Sequence, residues 1–325
     1  MVGRQLARGP RPAWEGAASD RRQQTLALVA VALAVLTWGW SNVAIKTVST
    51  TGLVASFYRL WLAIPVLWLL PAVSARRRRR LDASWLRASA IGGTLFGFHQ
   101  VLFFTSLKLT SVANVSIIGA LQPALVLLVA APLFGEPVTR SAIGWAAVAV
   151  AGTGLVVIGS HGSPGWSPLG DAIAVVNLFA FTAYFLFSKR ARARVEATDY
   201  VIGMTTVSGL LVLAVCVATR QDLASPTPSD WPVLVGLALV SGTLGHVLTN
   251  WAHAHASAFV VSIMLLGVPV LASAGAAAFL GETITPAELV GGAIVLGAIA
   301  RIVFSARSPA TAEELAESAA ATDAP

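Results

Sequence analysis

Charged side chains are scarce in this sequence. Only 11% of its 325 residues are Asp, Glu, Lys or Arg, whereas 56% are hydrophobic and the mean hydropathy is +0.76. A soluble domain needs roughly a quarter charged residues. The composition therefore excludes a soluble domain and predicts a chain that lies in a lipid bilayer.

Carboxylates and cysteine are also sparse. Every Asp and Glu falls in a tail, in a loop or at the end of an apolar run, as Asp171 does, so no carboxylate relay is expected inside the membrane. The sequence has no HExxH motif, no phosphate-binding Gly-Lys loop and no pair of intramembrane aspartates. These absences argue against metalloproteases, ATPases and intramembrane aspartyl proteases, and no metal or cofactor is expected. The single cysteine, Cys216, excludes an intrachain disulfide.

Long apolar runs are abundant. Ten of them approach the roughly 20 residues that a transmembrane helix needs. The predicted spans are 25–44, 53–73, 86–107, 110–134, 141–158, 169–187, 200–218, 231–251, 256–279 and 287–304. Strands of an outer-membrane barrel are about half as long and alternate in polarity. The sequence therefore predicts an all-α polytopic membrane protein with ten transmembrane helices.

The basic residues predict the orientation. When the ten spans are threaded in order, eighteen of the 22 Lys and Arg residues fall on the side of the amino terminus. The positive-inside rule then predicts cytoplasmic termini in the plasma (inner) membrane. The pI of about 10.5 indicates contact with anionic lipid headgroups rather than with nucleic acid. Residues 1–24, which are basic, and 308–325 are predicted to be disordered cytoplasmic tails.

The chain contains an internal repeat. "GFHQVLFFTSLKLTSVANVSI" (97–117) aligns with "TLGHVLTNWAHAHASAFVVSI" (243–263) at an offset of 146 residues. Six positions are identical in the two copies, at Val101, Leu102, Ser111, Val115, Ser116 and Ile117 of the first. Downstream, Pro123 meets Pro269, and "LFGE" meets "FLGE" with the Gly-Glu pair in register.

The repeat predicts two five-helix units, 25–160 and 161–307. Because five is odd, the second unit enters the membrane upside down relative to the first. Inverted repeats of this kind are the architecture of transporters that expose a midplane site to each side in turn.

The first span ends in "TWGWSNVAIK", the second contains an arginine in "FYRLWLA", and "GHVLTNWA" and the duplicated "P…LFGE/FLGE…G" pattern follow. With these features the chain resembles the EamA-type family of the drug/metabolite transporter superfamily over about residues 25 to 305. The resemblance implies movement of small metabolites, often amino acids, through a cavity between the halves.

His246 is the most unusual polar residue of the predicted spans. It lies about 22 Å along a helix that starts near Trp231, inside the apolar core, and Asn250 shares its face one turn later. Its counterpart in the repeat is Gln100, next to His99. We predict that these two polar clusters face each other as a substrate or proton site. The alternative is a structural hydrogen bond between packed helices.

Other candidates follow from position alone. Trp38 and Asn42, with Ser41, share one face of span one, and Tyr184 lies on a similar stripe of span six with Asn177 and Phe181. Aromatic and amide groups together predict the lining of a binding cavity, although packing or lipid contact is the alternative for the rings. His253 and His255 are expected at the membrane surface, where a helix carboxyl end tolerates imidazoles.

Arg59 lies about 9 Å inside the second span, where it is expected to snorkel to the headgroups or to pair with a carbonyl. The alternative is a counter-ion for a substrate carboxylate or phosphate. Pro123 and Pro269 lie mid-span and are candidate hinges or simple kinks. Glu136 and Glu282 end spans, and "TPAE" (285–288) predicts a capping box, so these acidic residues are expected to be structural.

These observations predict a secondary transporter, not an enzyme, that exports a small zwitterionic or amphipathic metabolite such as an amino acid by alternating access. Proton coupling through His246 is expected to be possible, and the oligomeric state is left open. The alternatives are an anion or phosphorylated-metabolite exchanger of the same superfamily, and a non-transporting membrane enzyme or scaffold.

Overall fold

The protein is all-helical over the residues described by its computed structural model, which are 13–73, 82–134, 140–159, 165–256 and 258–305. The helices are α1 (Ala13–Thr47), α2 (Gly52–Val73), α3 (Ala83–Leu109), α4 (Val112–Gly119), α5 (Gln122–Phe134), α6 (Arg140–Gly159), α7 (Pro168–Ala191), α8 (Ala197–Ala218), α9 (Trp231–Gly236), a π-helical segment (Leu237–Gly245), α10 (His246–Ala252), α11 (Ala258–Met264), α12 (Gly267–Leu280) and α13 (Pro286–Ser305). No strand occurs among these residues, as the uniform apolar runs predicted.

Seven stretches are long and apolar enough to cross a membrane within the described part of the chain. They are Gln23–Thr47, Gly52–Leu69, Ala83–Leu109, Pro168–Ala191, Ala197–Ala218, Trp231–Ala252 and Val260–Leu280. The remaining predicted spans correspond to shorter apolar helices, Val112–Val126, Ile143–Val156 and Pro286–Ala298. The chain is therefore a multi-pass helical membrane protein.

The first helix is longer than the apolar run from which it was predicted. It begins at Ala13, so the second half of the tail 1–24 is helical rather than disordered. Ala, Glu, Gln and Arg dominate this extension, and all four are good helix formers. The correction shows that an apolar run locates the membrane crossing but not the start of the helix.

Two of the predicted spans are broken in the middle. α4 ends at Gly119 before α5, and α11 ends at Met264 before α12. Pro123 and Pro269 lie in the first turns of α5 and α12, where a missing backbone N–H costs little. The prolines therefore begin new helices, whereas the sequence suggested bends within continuous ones.

Apolar clusters lie above and below the middle of the bundle. We call the side where α1 begins the near side and the side where α1 ends the far side. The far cluster includes Ile45, Phe104 and Val112, and the near cluster includes Ala27 and Val261. A third cluster, which includes Leu60, Phe96 and Tyr184, packs beside the polar residues near the middle of the bundle.

The far-side loops are held by carboxylates. Asp230 accepts hydrogen bonds from the Ser49 amide (2.8 Å) and hydroxyl (2.6 Å), and Asp171 accepts from the Thr110 hydroxyl (2.8 Å). Burial alone raises the pKa of the Asp230 carboxyl, but the hydrogen bonds from Ser49 and Thr227 outweigh it and hold the pKa well below its usual range. These charges tie loops of both halves of the chain together.

The acidic residues that end or begin helices are structural contacts. Glu282 accepts from the Val112 amide (3.0 Å) and lies 3.9 Å from the Lys46 ammonium. Glu288 accepts from the Thr285 amide (2.6 Å), and its own amide donates to the Thr285 hydroxyl (3.2 Å), which confirms the predicted capping box. Glu136 lies outside the described residues.

Candidate functional site

A cavity of about 110 Å³ lies at the level of the two helix breaks. Six of the eight predicted binding residues line it, and both prolines line it too. The lining candidates are Trp38, Asn42, Arg59, His99, Gln100, His246, Pro123 and Pro269. Residues far apart in sequence, from α1 to α12, thus meet at one place in the middle of the bundle.

Arg59 is the charged centre of this cavity. Its side chain is only 5% exposed, one guanidinium nitrogen donates to the Gln100 side-chain oxygen, and the other lies 3.0 Å from Nε2 of His246. The guanidinium carbon also lies 5.7 Å from the centre of the Phe104 ring. The interpretation that Arg59 snorkels to the headgroups is therefore wrong, because the side chain points into the bundle.

The contact with Arg59 fixes the protonation of His246. A guanidinium can only donate, so Nε2 of His246 must accept and the ring proton resides on Nδ1. Nδ1 lies 3.4 Å from the Tyr184 hydroxyl. In this arrangement His246 is neutral, because a second ring proton would point at the cation.

Tyr184 and Asn250 lie directly behind His246 rather than on the cavity wall. The Asn250 amide nitrogen donates to the Tyr184 hydroxyl (3.3 Å) and to the backbone oxygen of His246 (2.9 Å). His246 and Asn250 therefore share one helix face, as their spacing predicted. Both supporting residues are buried, and their role is to orient the imidazole.

A second polar pair occupies the same cavity. Nδ1 of His99 lies 2.8 Å from the Asn177 side-chain oxygen, so Nδ1 is the donor. His99 also packs against Phe181, with ring centres 4.7 Å apart. Arg59 bridges the two predicted clusters through Gln100 and His246, and this link was not foreseen.

The π-helical segment explains how Trp38 reaches the site. The backbone oxygen of Ser241, within this segment, accepts a hydrogen bond from the Trp38 indole nitrogen at 3.0 Å. Gly245 permits this approach, since a Cβ at that position would lie 2.4 Å from the same nitrogen. Trp38 then packs against His246, with ring centres 4.8 Å apart. Apolar periodicity gives no signal for a π-helical turn.

Several residues that line the cavity were not predicted as site residues from the sequence. Asn42 donates to the hydroxyl of Ser116 at 3.5 Å, and Ser262 also lines the cavity. These serines are equivalent residues of the internal repeat, and their identity in the two copies was the signal that would have found them. Phe103, Gly119 and Gln122 gave no such signal.

His253 and His255 lie near the end of α10, outside this cavity, and His161 lies outside the described residues. His253 follows α10 as predicted, but its side chain is 2% exposed and packs on Phe185, so it does not face the membrane surface. Burial and the nearby cations Lys189 and Arg192 lower the pKa of His253 to about 3. His255 is half-buried against Trp251, at 4.4 Å between ring centres.

The electrostatic balance of the cavity is one-sided. No Asp or Glu is among its lining residues, and no carboxylate of the described residues forms an ion pair with Arg59. No group of three His, Cys, Asp or Glu side chains suitable for a metal occurs in the described part of the chain. The cavity thus carries one permanent positive charge that neutral hydrogen-bond acceptors solvate.

The chain is similar to two known exporters. It is 29% identical over 279 residues to the aromatic amino acid exporter YddG of Ancylobacter novellus, covering 81% of this chain and 94% of that protein. It is 27% identical over 282 residues to a probable terminal-alkyne amino-acid exporter of Streptantibioticus cattleyicolor, covering 84% of this chain and 92% of that protein.

A solved crystal structure shares the fold with a TM-score of 0.67 at 20% identity, covering 87% of this chain and 99% of that chain. The profile of the EamA-like transporter family matches twice, at residues 25–158 and 168–304. These two matches account for most of the sequence and confirm the resemblance inferred from its motifs. The chain belongs to the EamA-like transporter family.

Proposed function

We propose that this chain exports an amino acid through the central cavity by alternating access. The observation that carries the proposal is the buried guanidinium of Arg59, which lines the cavity without a carboxylate partner among the described residues. A substrate carboxylate supplies the missing negative charge, and its two oxygens match the fork of the guanidinium. Exporters of amino acids among the relatives support the same assignment.

Neutral groups of the cavity receive the rest of the amino acid backbone. Pro123 has no N–H, so it cannot donate to the backbone oxygen of Gly119 at the end of α4. Carbonyl oxygens at a helix carboxyl end carry partial negative charge and attract a substrate ammonium. Trp38 and Phe181 offer ring faces beside these polar groups.

The same cavity disfavours a phosphorylated substrate. A phosphate ester carries up to two negative charges, whereas Arg59 is the one permanent cation among the described residues that line the cavity. The single carboxylate of an amino acid matches the single charge of Arg59, and the ammonium of the same molecule is received by carbonyl oxygens near Gly119. The exchanger of phosphorylated metabolites is therefore the weaker alternative.

The proposed transport cycle uses ten membrane helices in two inverted halves, 25–160 and 161–307, with both termini in the cytoplasm. Its support is the double match of the family profile and the equivalent breaks near Pro123 and Pro269. We assign the two breaks as hinges, because separate short helices reorient without bending a continuous one. His246 takes part in proton coupling only if Arg59 first releases Nε2 to bind substrate.

The test is uptake of radiolabelled amino acids by liposomes that contain the purified protein, preloaded with unlabelled substrate. We expect counterflow of amino acids but not of sugar phosphates, and Arg59→Gln should lower it at least about tenfold, equivalent to ~1.4 kcal/mol. Arg59→Lys should be intermediate, since lysine keeps the charge without the fork. Arg220→Gln, in the loop before α9, is the matched control. Normal counterflow by Arg59→Gln would refute the proposal.

A further inference from the structure

The two helix breaks differ at one pair of equivalent residues. Gly119 ends α4, lines the cavity, and is exposed to it, and a Cβ placed there would meet no atom within 4 Å. The equivalent residue 146 positions later is Leu265, which is only 6% exposed and packs into the near cluster. The first half thus leaves open a recess that the second half fills with a side chain.

The backbone does not require glycine at position 119. The left-handed conformation that favours glycine occurs at Gly165 and Gly281, whose φ angles are +78° and +67°, but not at Gly119. Close helix packing does not require it either, since no neighbour lies within contact of a Cβ. Space inside the cavity is what the missing side chain provides.

The charged and imidazole groups of the cavity lie on different elements from most of its apolar lining. α2, α3 and α10 supply Arg59, His99, Gln100 and His246, whereas the two broken helices supply mostly apolar residues, such as Val115, Ala120, Leu266 and Val268. An amino acid whose carboxylate binds Arg59 has its side chain free to point toward the apolar elements. The recess lies on those elements.

We propose that the recess beside Gly119 receives the substrate's side chain and sets the largest side chain that the transporter accepts. The inference rests on the proposed amino acid export and adds its substrate class, which is amino acids with large apolar or aromatic side chains. Filling the recess should exclude these substrates while leaving room for small ones. A difference of one methylene in such a pocket changes discrimination by roughly 10- to 200-fold.

The experiment compares wild type with Gly119→Ala, Gly119→Val and Gly119→Leu in liposomes, with tryptophan, phenylalanine, alanine and serine as separate substrates. We expect Gly119→Leu to reduce tryptophan transport more than about tenfold and alanine transport less than about threefold. Alanine and valine at 119 should give intermediate ratios. Leu265→Ala added to Gly119→Leu should restore part of the tryptophan transport, because it returns volume on the equivalent side.

Gly144→Leu is the matched control. Gly144 is also exposed, with no atom within 4 Å of a Cβ, but it lies in α6 outside the cavity, so its substitution should leave the tryptophan-to-alanine ratio unchanged. Size-exclusion chromatography shows whether each variant is folded. If Gly119→Leu does not fold, the tryptophan-to-alanine ratio is measured with Gly119→Ala instead. An unchanged ratio in the folded Gly119 variants, or an equal loss for all four substrates, overturns the inference alone. Wild type that moves no amino acid overturns the proposed function as well.

Discussion

The carboxylates of the far side and the cation of the cavity are held in opposite ways. Asp230 accepts hydrogen bonds from neighbouring loop residues, and Glu282 binds both a backbone amide and an ammonium. Arg59 lies in the central cavity, and its hydrogen-bond partners among the described residues are the neutral acceptors Gln100 and His246. Asp230 accepts four hydrogen bonds from Ser49 and Thr227, which occupy its carboxylate. The guanidinium of Arg59 has five N–H donors but two hydrogen-bond partners among the described residues, so it can still bind a ligand.

The largest effect is expected for the orientation of the chain, in which the far side should face the outside of the cell. A reporter fused after Arg194 should read cytoplasmic, and one inserted within residues 161–168 should read external, because the inner loops hold most of the basic residues. Alkaline phosphatase and green fluorescent protein fusions measure this as an all-or-none difference. Two reporters on the same side of the membrane would contradict the inverted orientation of the two halves.

Removing the imidazole of His246 tests the hydrogen-bond network of the cavity. His246→Ala should lower amino acid flux at least about tenfold, because it takes from Arg59 an acceptor 3.0 Å away and from Trp38 its packing partner. His255→Ala, at the end of the same span but outside the cavity, should stay within about twofold of wild type. Equal fluxes for the two variants would make His246 a packing residue.

The far-side contacts should affect stability rather than transport. Asp230→Asn weakens hydrogen bonds from Ser49 and Thr227, and hydrogen bonds to charged groups contribute about 1.5–3 kcal/mol each. We expect a loss in Tm on the order of 5 °C in detergent, with flux per folded molecule nearly unchanged. A large loss of flux at normal stability would instead place Asp230 in the transport mechanism.

The pH dependence of this variant gives a separate check. The folded pKa of Asp230 lies below its ordinary value, so its stabilisation is present above the unfolded pKa of about 3.9 and disappears as pH falls through the folded pKa. The Tm difference between wild type and Asp230→Asn should therefore shrink below about pH 4. A difference that grows on acidification contradicts this account of the carboxylate.

The smallest effect is expected at the capping box of α13. Thr285→Ala removes the hydroxyl that accepts from the Glu288 amide, and the loss of such a cap costs about 1 kcal/mol. Tm should fall by about 2–4 °C without a change in substrate preference. Thermal unfolding followed by tryptophan fluorescence measures it, and a shift in preference would link α13 to the cavity.

The sequence predicted the membrane crossings better than it predicted directions inside them. Spacing alone placed Asn250 one turn from His246, because the α-helical period is known in advance. The side chain of Arg59 points inward because Gln100 and His246 of other helices accept its hydrogen bonds. The sequence of a single span does not show such partners. The π-helical turns behind Trp38 and the burial of His253 likewise depend on neighbouring helices.

The pairing of Arg59 with Gln100 and His246 has a consequence for the empty protein. These side chains give the guanidinium internal solvation, so the unloaded site is not a bare ion facing hydrocarbon. An unloaded carrier of this kind can return across its barrier without a counter-substrate to screen the charge. A carrier with this property can carry out net efflux, whereas an obligatory exchanger moves one substrate in for each one out. Net efflux suits an exporter that lowers the concentration of its substrate inside the cell.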